Sequence, residues 1–424
     1  MKPVVVIHVD SLRREYVSNW LLGQKLKKSG YRVILTSRIS TPYLFRVFTP
    51  DIVILSHVFA LSTAALAALM KRNVKVYINE VEGVIEDEAG IVSTYPAAYI
   101  DYGLLAGIFV WSEWSRDWLM ANRNLESHKV HATGSIRNSI LFKREDAITV
   151  PVVGILSRFE LINTFDGRHN FENLLVIDPE DETLRWYYDR WAIDAETFSI
   201  VSKMIAILTA RGIAVSIRPH PNENTSSYKL LQKKFGPLFS IDRCYDLNEW
   251  LSKLSVVVGP TSTAYTEAYL AGIPVVSTQG IQKCHYTGVD RIKIINEFAR
   301  AAHSPKTVDD AVALCADLSL PPINSAELND YFDSFYSTGK KTDPIDQIVK
   351  IVLEDSASNS LPGRWYFRWI GPTLKHLIDI ASLSRALLCR HPLRSLLNMK
   401  QYNFCAILHT PSAYMKKLES EKSK

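Results

Sequence analysis

The chain has 424 residues, 47% of them apolar and 22% charged, which is long for one domain, comfortable for two, and ordinary for a globular protein. No run of about 18 apolar residues suggests a transmembrane helix, and the opening MKPVVVIHVDSLRREY turns charged too soon for a signal peptide, so a cytoplasmic protein is expected. Five scattered cysteines without a CxxC pair argue against a zinc site or a disulfide framework and fit a reducing compartment.

The first third repeats one unit: a short β-branched run, a turn, a helix-like stretch. The runs are 4–9, 31–36, 51–55, 74–78, 107–111 and 129–132. Continuous apolar strands alternating with helices predict a parallel sheet covered on both faces. Residues 147–151 read as a link. A second set of strands follows at 152–156, 213–217, 255–258 and 274–277, with helices at 195–211 and 263–271. The expected fold is α/β: two tandem Rossmann-like, doubly wound domains, residues 1–147 and 148–355, followed by a tail, 356–424.

Ligands of such sheets bind beyond the carboxyl ends of the strands, so the residues leaving each strand carry the functional reading. His8 and Asp10 end the first strand and are candidates for an acceptor side. Arg13, Arg14 and Glu15 open the next helix and read as a surface or interdomain salt bridge. The fourth strand leads into NEVEGVIEDEAG. There Glu82 is a candidate base, because a carboxylate can take a proton from an acceptor hydroxyl, and Gly83 lets a substrate approach closely. Glu80, Glu86, Asp87 and Glu88 compete for that role, and a solvated acidic loop is the plain alternative. Asn163 lies in the polar segment after the strand at 152–156.

The strand at 213–217 runs into IRPHPNEN. Arg218 and His220 each precede a proline, and prolines fix φ and push the preceding residue into extended backbone. His220 is thus held in a stiff loop, and Arg218, Pro221 and Glu223 around it, with Asn163, are candidates for binding a donor. An imidazole there can donate to a phosphate oxygen or protonate a leaving phosphate. The strand at 255–258 runs into GPTSTAYTEAYLAGIPVVS. Thr261, Ser262 and Thr263 open a helix whose free N–H groups suit an anion; simple capping is the alternative. Glu267, one turn in, could accept from a ribose or sugar hydroxyl, or stand in solvent. No GxxxxGK[ST] loop, no GxGxxG after a strand and no HExxH occurs, so ATPase, NAD and zinc readings are weak.

These two motifs together resemble the bacterial surface-carbohydrate biosynthesis proteins of capsule and lipopolysaccharide production, which are glycosyltransferase-like with the two-domain GT-B fold. WSEWSRDWL, ATGSIRNSI and Ile162-Asn163-Thr164 add to the likeness, which spans roughly residues 4–277. The His-Pro and Ser/Thr motifs are also similar to those of bacterial sialyl-, polysialyl- and Kdo transferases. The resemblance implies that His220, Pro221, Ser262 and Thr263 hold the phosphate of a CMP-sugar. It also implies that Glu82 before Gly83 is the base, although those enzymes carry two acidic residues there and this chain has Val81 before Glu82. It implies a nucleotide-sugar as substrate, a lipid-linked or growing glycan as acceptor, and no metal or other cofactor. CDP-glycerol phosphotransferases carry a similar His-Pro motif. UDP-sugar epimerases share the tandem plan, and a non-catalytic assembly scaffold is a third alternative.

The tail differs in composition. Residues 361–424 hold eleven Lys/Arg against three Asp/Glu, and PGRWYFRWIGP mixes arginines with aromatics ahead of an amphipathic stretch at 374–388. That combination suits the anionic surface of an inner membrane; packing back on the domains is the alternative. No recognition motif supports a nucleic-acid partner.

Overall fold

The computed structural model describes residues 2–38, 40–81, 85, 87–141, 149–164, 182–220, 223–242, 244, 246–260, 262, 264–285, 301–337 and 342–358. The chain forms two compact units, residues 1–140 with the chain from 329 onward, and residues 141–328.

The first unit is built on six parallel strands: β1 (Val4–Val9), β2 (Arg32–Ser37), β3 (Ile52–Leu55), β4 (Lys75–Asn79), β5 (Gly107–Val110) and β6 (Val130–Ala132). Their order is β2-β1-β3-β4-β5-β6. β1, β3 and β5 are buried along their whole length, as strands covered on both faces must be. The connecting helices include α1 (Leu12–Lys28), α2 (Ser40–Val47), α3 (Thr63–Lys71), α4 (Glu88–Thr94) and α5 (Glu113–Asn122). One face of the sheet packs Val53, Leu55, Val76, Ile78, Ile108 and Val110 against Leu66, Leu69, Ile91 and Leu119 of these helices.

The second unit has five parallel strands: β7 (Val152–Leu156), β8 (Ala214–Arg218), β9 (Phe239–Ile241), β10 (Val256–Gly259) and β11 (Val275–Ser277), in the order β11-β10-β7-β8-β9. The long helix α6 (Glu182–Ala210) buries Val201, Met204, Ile205 and Leu208 against Val153, Ile155, Val215 and Ile217. Among the described residues this unit also has α7 (Tyr228–Phe235), α8 (Leu247–Leu251), α9 (Ala264–Leu270) and α10 (Val308–Ala316).

The division expected from sequence, with residues 148–355 in one domain, changes at its far end. From Asn329, within α11 (Ala326–Phe335), the chain belongs to the first unit, and α12 (Pro344–Ser358) packs there. Asp346 pairs with Lys25 of α1, and Asp355 takes Lys75 Nζ at 2.8 Å and the Tyr77 hydroxyl at the start of β4. Asp343 accepts from Ser139 Oγ at 2.9 Å, and Ser337 Oγ donates to the Trp111 carbonyl at 2.6 Å. Such pairings link residues more than 200 positions apart, so no local pattern announces them. The tail beyond residue 358 lies outside the described residues.

Strand order fixes where each unit can bind a ligand. In the first sheet β2 lies on one side of β1 and β3 on the other, so the winding reverses between β1 and β3. In the second, β8 and β9 extend to one side of β7, and β10 and β11 to the other. Connections leaving a reversal diverge to opposite faces and open a crevice beyond the carboxyl ends. The close approach of β10 to β7 at that point has a local cause: a Cβ on Gly259 would sit 2.6 Å from the Leu156 carbonyl oxygen, so only glycine fits.

Candidate functional site

The reversal in the second sheet brings together the loops after β7 and β8. Ser157, first residue past β7, accepts the His220 backbone N–H at 2.9 Å, and its hydroxyl lies 2.7 Å from Glu223 Oε2. Glu223 also takes the Phe159 N–H at 2.5 Å and the Tyr228 hydroxyl at 2.5 Å. Burial outweighs these bonds and pushes the Glu223 carboxyl up to about 7. Asn163 completes the join, donating from Nδ2 to the Asn224 carbonyl at 3.1 Å and accepting Asn224 N–H at 3.0 Å.

Two residues expected to face a donor are therefore part of the scaffold. Glu223 is buried with both oxygens engaged inside the loop. Arg218, on the last position of β8, is buried against Asp242 and the Cys244 carbonyl and lies over the Trp250 ring. A buried guanidinium needs a carboxylate more than a ligand does. Asn163 likewise bonds to backbone. Their effect on His220 is indirect: they hold the loop that presents it.

The His220 side chain is 37% exposed, with Nδ1 3.8 Å from Glu160 Oε2. Glu160 belongs to a buried ladder. Arg190 of α6 donates from one nitrogen to Glu160 Oε1 at 2.8 Å and from Nε to Asp194 Oδ1 at 2.7 Å, with its side chain only 2% exposed. Asp194 in turn accepts the Leu161 N–H. Burial opposes ionisation of Glu160, but Arg190, His220 and Arg158 outweigh it and lower its pKa. For Asp194 burial wins, and the carboxyl rises to about 6. The ring of His220 thus has one nitrogen turned to an anion fixed from behind.

At β10 the Ser262 oxygen accepts the Ala264 N–H at 3.2 Å, the capping alternative, while an accepting hydroxyl still carries its own O–H. Glu267 is buried within α9 rather than solvated. Thr261, Thr263 and Pro221 lie outside the described residues.

The reversal in the first sheet is a different cluster. His8 is buried on β1, its Nδ1 3.0 Å from Ser56 Oγ at the end of β3. Burial first, then neighbouring His57, pushes the His8 imidazole down to about 3, so it is neutral. Asp10 stands 3.5 Å from His57 Nε2, 3.6 Å from Arg38 Nε and 3.3 Å from an Arg14 nitrogen. Burial works against its charge, yet the His57 ring and Arg38 hold the carboxyl down at about 2. Glu15 is not on the surface: it is buried, and Oε1 accepts the Asp10 and Ser11 N–H groups at 2.7 and 2.9 Å, closing the start of α1 as a capping carboxylate does.

Glu82 and Gly83 lie outside the described residues. Of the competing acids, Asp87 caps α4 by accepting the Gly90 N–H at 2.7 Å. Glu80 is buried past β4 and accepts the Tyr95 hydroxyl at 3.1 Å. Burial pushes Glu80 up to about 8 against that bond. Among the described residues, no group of three or more His, Cys, Asp or Glu is placed to hold a metal ion, and no helix is long and apolar enough to cross a membrane.

Sequence reading missed His57, Glu160 and Arg190. His57 follows an apolar strand, DIVIL-SH, which is the same signal that singled out His220. Glu160 follows Ser157-Arg158-Phe159 at the second reversal. Arg190 sits mid-helix, 30 residues from its partner, and nothing local marks it.

No protein-family model matches the chain, and no curated protein matches it. Solved structures do. The wall teichoic acid polymerase TagF is similar with a TM-score of 0.52 at 10% identity, over 84% of this chain and 89% of that one. The UDP-GlcNAc 2-epimerase of Methanocaldococcus jannaschii gives 0.46 at 12% identity, over 84% of this chain and 100% of that one. The epimerase of Neisseria meningitidis bound to UDP-GlcNAc gives 0.44 at 14%, over 85% and 100%. At these identities the TagF likeness speaks for architecture. The fold is GT-B.

Proposed function

We propose that the protein is a nucleotide-dependent glycosyltransferase of surface-glycan assembly, with the donor phosphate at the second sheet and the acceptor at the first. The observation that carries this reading is His220. Its loop is stapled by Ser157 and Glu223, its ring is partly exposed, and one nitrogen is turned to Glu160. Charge develops on the leaving phosphate as the glycosidic bond to it breaks, and a preoriented imidazole stabilises that charge at little reorganisation cost. Ser262, two strands away on the same edge, supplies a second O–H; Thr261 and Thr263 join it by the resemblance in the motif. His8, Asp10 and the Glu82-Gly83 segment belong to the acceptor side, with Glu82 as the base.

The donor we favour is a CMP-linked ulosonic acid such as Kdo or a sialic-acid relative, from the paired His-Pro and Ser/Thr motifs. A second reading, transfer of an alditol phosphate from a CDP-linked donor, is supported by the fold shared with a teichoic acid polymerase. The basic aromatic tail would keep the enzyme at an anionic membrane face, next to a lipid-linked acceptor. Both transfers use a nucleotide substrate and no further cofactor.

The test is donor consumption by the purified full chain with CMP-Kdo, CMP-sialic acid, CDP-glycerol and UDP-GlcNAc, each with and without a bacterial surface oligosaccharide. Acceptor-dependent release of CMP from a CMP-sugar supports the reading. Release of CMP from CDP-glycerol moves it to the second. Isomerisation of UDP-GlcNAc without acceptor contradicts both.

A further inference from the structure

The first sheet carries an exposed aromatic plate that the reaction chemistry above does not use. β3 ends at Leu55, Ser56 and His57 follow, and a single 3-10 turn, Val58–Ala60, buries its two flanking residues and leaves Phe59 47% exposed. The Phe59 ring is fixed. It meets Tyr99 edge to face with centroids 4.8 Å apart, and the Tyr99 hydroxyl donates to the Leu61 carbonyl at 2.8 Å. Phe59 also meets the His57 ring, with centroids 6.4 Å apart. Held in this way, the half-exposed phenyl presents a fixed apolar surface next to the reversal point.

His57 connects that plate to the polar cluster. It packs edge-on to His8 at 5.9 Å and reaches Asp10 with Nε2. Among the described residues, His8 Nε2, His57 Nδ1 and Asp10 Oδ1 are buried with no hydrogen-bond partner. Buried polar atoms are nearly always bonded, so the two imidazole nitrogens call for a ligand or water that completes them, while Asp10 Oδ1 already faces His57 Nε2 and Arg38 Nε. Arg38, beside Asp10, has a side chain 63% exposed and donors left for solvent or ligand.

The chemistry of this surface selects its occupant. A pyranose has one face of C–H bonds and a rim of hydroxyls, each both donor and acceptor. It matches a phenyl plate beside a carboxylate, an imidazole and a guanidinium. We propose that the carboxyl end of the first sheet is a sugar-stacking subsite that takes a pyranose ring of the acceptor glycan on Phe59, with hydroxyls bound by Asp10, His57 and Arg38. This rests on the assignment of the acceptor to the first domain and names the chemical class that it holds there.

The test is binding of the full chain to an array of bacterial surface oligosaccharides, some ending in pyranoses and some in glycerol phosphate. It is run for wild type, Phe59→Ala, Phe59→Trp and Leu104→Ala, the last removing an exposed apolar side chain of the same unit away from the cluster. Wild type should bind pyranose-ended glycans. Phe59→Ala should weaken that binding at least about 10-fold, as loss of an aromatic stacking partner does, while Phe59→Trp and Leu104→Ala retain it. Phe59 is half exposed, so the melting temperature of each variant should stay at the wild-type value. Equal binding by wild type and Phe59→Ala, no glycan bound at all, or preference for glycerol phosphate ends would overturn the subsite. Nucleotide binding in the same preparations separates the two claims. Phe59-dependent glycan binding without any nucleotide binding leaves the subsite standing and removes the transferase reading. Turnover with a CMP-sugar that Phe59→Ala does not affect removes the subsite alone.

Discussion

The two reversal points carry opposite charge plans. In the first sheet one carboxylate, Asp10, sits among Arg14, Arg38 and His57. In the second, one buried guanidinium, Arg190, sits between Glu160 and Asp194, with His220 at the outer end. The first plan keeps a carboxylate charged near the buried, neutral His8, which suits the recognition of hydroxyls. The second uses buried charge to fix a partly exposed imidazole, which suits the capture of a phosphate. Two copies of one architecture are thus given different chemistry by the few residues that leave their strands.

That contrast can be broken most severely at His220. Its replacement by alanine should cut turnover roughly 100- to 10,000-fold, the range of a positioned acid–base group, while the partly exposed side chain leaves the urea midpoint nearly unchanged. A fall in turnover that tracks unfolding would make His220 a structural residue instead.

Arg190→Met comes next, since it leaves Glu160 and Asp194 buried without their cation. The expected loss is about 3–5 kcal/mol by urea unfolding, against a smaller loss for Asp10→Asn, whose partner Arg38 is largely exposed. Similar losses at both sites would erase the contrast. Glu160→Gln keeps the shape and removes the charge behind His220. It should lower kcat about 10-fold with KM little changed, and Glu160→Asp should restore part of it; an equal rise in KM would mean Glu160 binds donor directly.

Glu80 tests a neighbouring strand end. Its carboxyl stands at about 8 in the folded chain and at 4.5 when exposed to water. Between those values the folded state binds the extra proton, so this group makes stability fall as pH rises, by up to about 1.4 kcal/mol per pH unit. Urea midpoints at pH 5.5, 7 and 8.5 should decline more steeply for wild type than for Glu80→Gln. Parallel declines would show that the carboxyl ionises freely. A Gly259→Ala replacement should cost about 1–3 kcal/mol by urea unfolding, from a Cβ forced against the Leu156 carbonyl.

Strand periodicity made ten of the strands legible to within a residue or so at each end, because a parallel sheet buried on both faces needs continuous apolar runs. β9 escaped because three residues, Phe-Ser-Ile, carry no period. The return of α12 to the first sheet escaped because it depends on Asp343, Asp346 and Asp355 meeting distant partners. At the sites, the prolines around His220 and the position of His8 near the end of β1 and of Asp10 just past it could be read directly. Arg218 and Glu223 looked like ligand groups because sequence shows a polar residue but not the buried partner that satisfies it. Glu160 and Arg190 are joined only by folding, through a helix whose amphipathic pattern says nothing about a single buried arginine.

The division of labour between the two sheets is tested most directly by calorimetry of CMP binding to wild type, His220→Ala and Asp10→Asn. The account predicts that wild type binds CMP, that His220→Ala weakens it at least about 10-fold, the loss expected when a hydrogen bond to a charged group is removed, and that Asp10→Asn binds as wild type does. CMP affinity that depends on Asp10 and not on His220, or no nucleotide binding by wild type, would contradict it.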